Sequence, residues 1–271
     1  MTTEFVESTD GTRIALERVG AGPVLVLVDG AAMYRAFGTS RALAQRLASS
    51  FTVVAYDRRG RGESTDTPPW ALEREVDDLT AVLAHATGDA AGRPAAVHTL
   101  SSGAVLALHA VAAGAPIRAL SMFEPPLDLD GDPTADAAQI DELAQLVRSG
   151  RRREAVQAFH RGIGMPPEMI AAQPETVLEV LDGIAPTLVY DMSLSRTGAV
   201  SEDLLAAVRV PAQVLSSDTG SGPLGGWAAR VAAALPHGEH RTLPGSWHGV
   251  PDDVLAEAIR GFAAPLLASA P

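Results

Sequence analysis

The chain has no cysteine among its 271 residues. That removes disulfides, thiolate nucleophiles and cysteine-based metal sites from consideration. It also has no lysine: all 21 basic residues are arginine. Beside abundant alanine, this reads as compositional bias rather than a functional signal. Positive charge is outnumbered, the net formal charge being -12. Nucleic acid and anionic membranes, which both require basic patches, are therefore poor partners. No stretch approaches the roughly 18 uninterrupted apolar residues of a membrane-spanning helix. The opening "MTTEFVESTDGTRIALERVG" is polar and alternating, without the basic region and apolar run of a signal peptide. The expectation is a cytoplasmic monomer or homodimer acting on a small-molecule substrate.

What is present is an ordinary globular composition, 46% hydrophobic and 20% charged, in a chain long enough for one large domain or a domain carrying an insertion. Residues 4–8 and 12–19 alternate around "TDG", which predicts a hairpin. "PVLVLVDG" (23–30), "FTVVAYD" (51–57), "AAVHTL" (95–100) and "IRALSMFE" (117–124) are continuous apolar runs, the pattern of strands buried on both faces. Helical stretches at 35–48, 73–87 and 102–114 separate them. Such β–α alternation predicts a mostly parallel sheet with helices on both faces. It breaks at the Pro-, Asp- and Gly-rich "EPPLDLDGDPTAD" (124–136). Only helical periodicity then follows until strands resume at 210–218 and 240–245, with helices at 226–236 and 251–268. The expected organisation is a core of residues 1–127 and 207–271, eight strands in all, carrying a helical cap of residues 128–206.

In sheets of this kind the ligand site lies at the carboxyl ends of the strands. Read in order, those ends carry Asp29, Ser101, Glu124, Asp218 and, after the last strand, His248. "TLSSGAVLALHA" (99–110) places Ser101 between a buried strand and a buried helix, as an N-cap or as a nucleophile exposed on a sharp turn. The order Ser, acid, His supports the second reading. A serine hydroxyl needs a base, which His248 can supply, and an acid that orients the imidazole.

With "YDRRGRGES" (56–64), Ser-Ser-Gly (101–103) and "FEPP" (123–126), the sequence resembles the α/β-hydrolase superfamily over nearly its whole length, closest to small bacterial members. The resemblance implies an α/β-hydrolase fold with a cap. It also implies a serine hydrolase working through an acyl-enzyme on Ser101 with His248 as base. The oxyanion hole would come from the N–H groups of Ala31 and Ser102. No metal or organic cofactor is implied. Asp29, Met33, Tyr190 and Trp247 are candidate substrate contacts. The expected substrate is an ester, lactone or thioester of a small, largely apolar molecule.

Two departures stand out. Thr99 replaces the first glycine of Gly-x-Ser-x-Gly. Asp29-Gly30 replaces the usual His-Gly, and its carboxylate would oppose an oxyanion unless Arg58 or Arg59 neutralised it. Asp29 thus keeps open a divergent chemistry on the same fold, such as a perhydrolase, carbon–carbon hydrolase, lyase or cyclase; a non-catalytic binding protein is a third reading. Two acids compete for the triad. The common position falls at Gly220, which cannot serve, and Asp218 is nearby. Glu124, after the preceding strand and fixed by two prolines, is the favoured acid, with Asp218 the alternative. The other histidines are read as structural or solvated, His98 and His160 being the two to watch near the site; "YDRRGRGES" is read mainly as a turn with local ion pairs.

Overall fold

The computed structural model describes residues 2–88, 95–132, 134, 136–219 and 223–268. Among them eight strands form one sheet: β1 (Thr3–Glu7), β2 (Arg13–Val19), β3 (Val24–Val28), β4 (Thr52–Tyr56), β5 (Ala95–Leu100), β6 (Ile117–Phe123), β7 (Ala212–Thr219) and β8 (Gly238–Ser246). Their spatial order is β1-β2-β4-β3-β5-β6-β7-β8. β2 runs antiparallel to β1 and β4, and every other pairing is parallel.

The strand period of two divides the core. Val26 and Val28 of β3 pack with Leu79, Val82 and Leu83 of α2 (Leu72–Thr87) and with the apolar residues of α3 (Ser102–Ala112). Leu25 and Leu27, one residue out of phase, face Leu43 and Leu47 of α1 (Ser40–Leu47) and Ile259 of α10 (Asp252–Ala268). A strand that feeds two cores has no polar face, which is why "VLVLV" reads as an unbroken run. Helix α1 starts later than its pattern suggested, because residues 30–39 are held as a loop over the strand ends.

Between β6 and β7 lie α4 (Ala137–Arg148), α5 (Arg152–Gly162), α6 (Pro167–Ala171), α7 (Glu175–Leu194) and α8 (Glu202–Ala207). Leu143, Val156, Phe159, Leu181, Ile184 and Leu188 form a separate apolar cluster there. Ala31, Ala32, Tyr34 and Phe37 of the loop after β3 pack against it. Leu194, Val200 and Leu205 instead join the core beneath α3. α9 (Leu224–Ala234) and α10 complete the layers on the two faces.

Candidate active site

Ser101 sits between β5 and α3 with φ +49° and ψ -124°. A non-glycine residue holds such a backbone only where its surroundings enforce it. Here the Ser101 N–H donates to Phe123 O at 2.9 Å and its carbonyl accepts from Ala104 N at 2.9 Å. Gly103 lets the helix approach β3: a Cβ there would lie 2.7 Å from Val28 O and 3.0 Å from Asp29 O. Thr99 is accommodated in β5, fully buried, with its hydroxyl 3.4 Å from Ser121 O.

Glu124 follows β6 and is completely buried, also at positive φ (+47°). Its N–H donates to Leu215 O at 2.8 Å. One carboxylate oxygen accepts from the Ser217 N–H at 2.9 Å and from the Ser217 hydroxyl. The other accepts from the His248 N–H at 2.8 Å and lies 2.6 Å from His248 Nδ1. That last approach is a close charge contact rather than a straight N–H···O bond, a common state before substrate tightens a site. The His248 ring meets Phe123 edge-on, centroids 5.9 Å apart. Asp218 is exposed at the end of β7 and accepts from Gly245 N at 3.0 Å. The fold thus brings Glu124, and not Asp218, to the imidazole. Gly220 lies outside the described residues.

Ser101 and His248 open on a cavity of about 640 Å³. Ala31, Met33 and Trp247 line it, together with Phe159, His160 and Met192 from the cap. No arginine is among its described lining residues. Neither the Ala31 N–H nor the Ser102 N–H has a protein acceptor among the described residues, so both are free to donate.

Two expected substrate contacts lie elsewhere. Tyr190 is not on the cavity wall; its ring stacks on Trp70, centroids 5.4 Å apart, and its hydroxyl donates to Asp66 at 2.8 Å. Asp29 points beneath the loop, where its carboxylate accepts from the Ser40 hydroxyl at 2.9 Å. Burial pushes its pKa up to about 6. Asp29 borders a much smaller hollow with His98 and His248, and not the large cavity. His98 is turned into the sheet, its Nδ1 2.9 Å from Ser121 Oγ, and burial lowers its pKa to about 3.

The arginines expected to neutralise Asp29 make their hydrogen bonds to other groups, and Arg58 acts on Asp29 only through its charge. Arg59 is forked onto Asp78 (2.7 and 2.8 Å) and also reaches Asp10. Arg58 is forked onto Glu75 (2.7 and 3.0 Å) and reaches Asp191 of α7 at 2.9 Å. Arg61 pairs with the same Asp191 at 2.7 Å and donates to the carbonyls of Gly30 (2.9 Å) and Met33 (3.2 Å). Asp191 also accepts from Ala32 N at 3.3 Å and from the Ser102 hydroxyl at 3.2 Å. All four charged groups, Arg58, Arg61, Glu75 and Asp191, are about 2% exposed or less. Burial alone would raise the Asp191 pKa, but Arg61 and Arg58 outweigh it and hold the carboxyl below its usual range. This charge-balanced cluster joins the cap to the loop bearing Ala31 and to the start of α3. In sequence Asp191 stands in the apolar second half of α7, after the helix's other acids Glu175, Glu179 and Asp182.

Residues 20–263 match the model of the α/β hydrolase family, and the chain belongs to that family. It is accordingly a hydrolase by class. Among solved structures it is similar to an α/β hydrolase from Sphaerobacter thermophilus DSM 20745, 38% identical with a TM-score of 0.83, covering 96% of this chain and 99% of that one. A thermophilic esterase from Thermogutta terrifontis shares the fold at 22% identity and TM-score 0.75, covering 98% and 99% of the two chains. Among curated proteins it is similar to a pimeloyl-[acyl-carrier protein] methyl ester esterase of Xanthomonas campestris pv. campestris, 29% identical over 264 residues, 93% of this chain and 99% of that protein. Among the described residues no helix is long and apolar enough to cross a membrane.

Proposed function

We propose that the protein is a serine esterase that cleaves an ester, lactone or thioester of a small, largely apolar molecule. The observation that carries this reading is the buried Glu124 carboxylate in contact with His248, at the cavity onto which the strained Ser101 turn opens. His248 Nε2 takes the Ser101 proton as Oγ bonds to the carbonyl carbon. The carbonyl electron pair moves to oxygen, which the N–H groups of Ala31 and Ser102 receive. Collapse re-forms the carbonyl and breaks the bond to the leaving group, which departs with the proton from His248. Water then attacks the acyl-enzyme, giving its proton to His248, and collapse returns that proton to Ser101 Oγ as the acid leaves. Glu124 remains ionised and stabilises the imidazolium.

Residues 128–206 act as the cap, whose apolar inner wall selects the acyl group and excludes water. Substrates with an ester bond are favoured by the Xanthomonas relative, which is named for a methyl ester. The Asp29 carboxylate, the feature that spoke for divergent chemistry, is turned onto Ser40 and away from the cavity. The test is labelling with a fluorophosphonate probe alongside hydrolysis of p-nitrophenyl esters. Wild type should react in both assays and Ser101→Ala in neither. A wild-type protein that takes no label, or a Ser101→Ala variant that hydrolyses esters as well as wild type, overturns the reading.

A further inference from the structure

The roof of the cavity contains polar groups that the fold leaves unsatisfied. His160, on α5, is 4% exposed, lines the cavity, and its Nδ1 finds no hydrogen-bond partner. Gln173, between α6 and α7, lines the same cavity; its amide nitrogen touches only Met165 Sδ, at 3.9 Å, and its buried Oε1 has no partner. A buried polar atom without a partner costs on the order of 1–3 kcal/mol. Two such groups on one wall of one cavity are what a site shows when its ligand supplies the missing bonds.

We infer that His160 and Gln173 form a substrate-recognition subsite for a neutral hydroxyl or amide group carried on the acyl chain away from the scissile bond. This rests on the esterase reading above. The chemistry narrows the ligand. Gln173 Oε1 only accepts, so the substrate group must donate. Nδ1 of a neutral imidazole either donates or accepts according to tautomer, so a group able to do both satisfies the pair. A hydroxyl and a primary or secondary amide have that property, and an ether or a methyl does not. A carboxylate offers no proton to Gln173. Two acids, Asp128 and Asp136, and no arginine, stand among the described lining residues, which further disfavours an anion. Burial lowers the His160 pKa and keeps the ring neutral, so the subsite offers no positive charge either.

The subsite acts on specificity rather than on the chemical step. A hydrocarbon chain in the same place would leave both groups buried and unpaired, so the site discriminates against apolar isosteres as well as favouring the hydroxylated chain. The experiment compares a homologous series of p-nitrophenyl ω-hydroxyalkanoates with methyl-terminated esters of equal length. In wild type the best hydroxylated ester should exceed its partner in kcat/KM by roughly tenfold. His160→Phe and Gln173→Leu should each remove most of that ratio, chiefly by lowering kcat/KM for the hydroxylated ester. No preference in wild type at any chain length, or a preference that survives both substitutions, overturns the subsite. Binding to Ser101→Ala, followed by thermal shift with the same ester pairs, reads the subsite without catalysis. If esters are not hydrolysed but the hydroxylated member still binds better, the esterase reading fails and the subsite stands. Equal binding of the two members rejects the subsite.

Discussion

The floor and the roof of the cavity solve opposite problems. The floor is built from sheet ends, and the charges beneath it are held by protein partners: Glu124 with Ser217 and His248, Asp191 with Arg58 and Arg61. The roof is helical and mostly apolar, and two of its polar residues, His160 and Gln173, each bury an atom without a partner. A paired buried charge fixes geometry, because moving either partner exposes both to desolvation. An unpaired neutral dipole fixes nothing until something binds. The floor therefore carries what every substrate needs, and the roof carries what distinguishes one substrate from another. Mutations in the floor should cost turnover or stability, and those in the roof should change preference.

The largest expected effect tests the floor. Glu124→Gln keeps the shape but removes the charge that orients His248 and stabilises its protonated form. By analogy with the triad aspartate, it should lower kcat by up to about 10⁴-fold. Asp218→Asn should change kcat by less than about twofold, since an exposed group holding Gly245 N contributes little to chemistry. Steady-state kinetics on both variants, with circular dichroism to confirm folding, decides between them. A large loss from Asp218→Asn with little from Glu124→Gln would reverse the assignment of the acid.

Next comes the junction between floor and roof. Asp191→Asn leaves Arg58 with Glu75 and takes from Arg61 the carboxylate it pairs with. Breaking a buried pair in this way should cost about 3–5 kcal/mol of stability. It should also lower kcat more than it raises KM, because the Asp191 carboxylate accepts from Ala32, next to the proposed oxyanion donor. The folded pKa of Asp191 is depressed, so its contribution is present above the unfolded value of 3.8 and fades as pH falls below it. Denaturant unfolding at neutral and at acid pH should show the gap between variant and wild type narrowing. An equal gap at both would remove the charge explanation.

These two regions were not equally legible in the sequence. The strands were, because a strand buried on both faces leaves a run such as "VLVLV" that no surface element shows. Ser101, Glu124 and His248 were, because parallel strands deliver their ends to one edge, although chain order left Asp218 in competition with Glu124. The Asp191 cluster was not. Its partners lie 130 and 133 positions away, and nothing local to "RRGRGES" distinguishes an arginine paired with a nearby helix from one that also reaches across to the cap. Tyr190 and Asp191 are adjacent, and successive helical residues point about 100° apart. Neither direction leads to the cavity: Tyr190 stacks on Trp70 and Asp191 turns onto Arg58 and Arg61.

A smaller effect separates a strained floor group from a paired one. Asp29 is raised from 3.8 to about 6, chiefly by burial, with the Ser40 hydroxyl and the positive charges of Arg61 and Arg58 opposing the rise only in part. Between those two values the folded state binds more protons than the unfolded state, so stability falls as pH rises through the window. A difference of about two units corresponds to about 3 kcal/mol in order of magnitude. Asp29→Asn can still accept from Ser40 but has no charge to desolvate. The variant should therefore gain on wild type between pH 4 and pH 7, as measured by denaturant midpoints. A constant difference across that range would mean that Asp29 ionises freely in the folded protein.

The smallest effect sharpens the border of the roof. Tyr190 belongs to a cap helix, yet it contributes to packing outside the cavity, stacked on Trp70 at an interplanar angle of 10° and bonded to Asp66. Tyr190→Phe keeps the ring and its stacking and deletes only the hydroxyl. One hydrogen bond between partly buried side chains is worth about 1 kcal/mol, so the melting temperature should fall by a few degrees at most for a chain of this size. KM for p-nitrophenyl esters should not change, because the hydroxyl does not face substrate. His160→Phe, made on the facing wall of the same cap, should do the reverse, shifting preference between hydroxylated and methyl-terminated esters. A change in KM from Tyr190→Phe that matches the one from His160→Phe would mean that the cavity extends to the outer side of α7, and the division between packing and recognition would have to be drawn elsewhere.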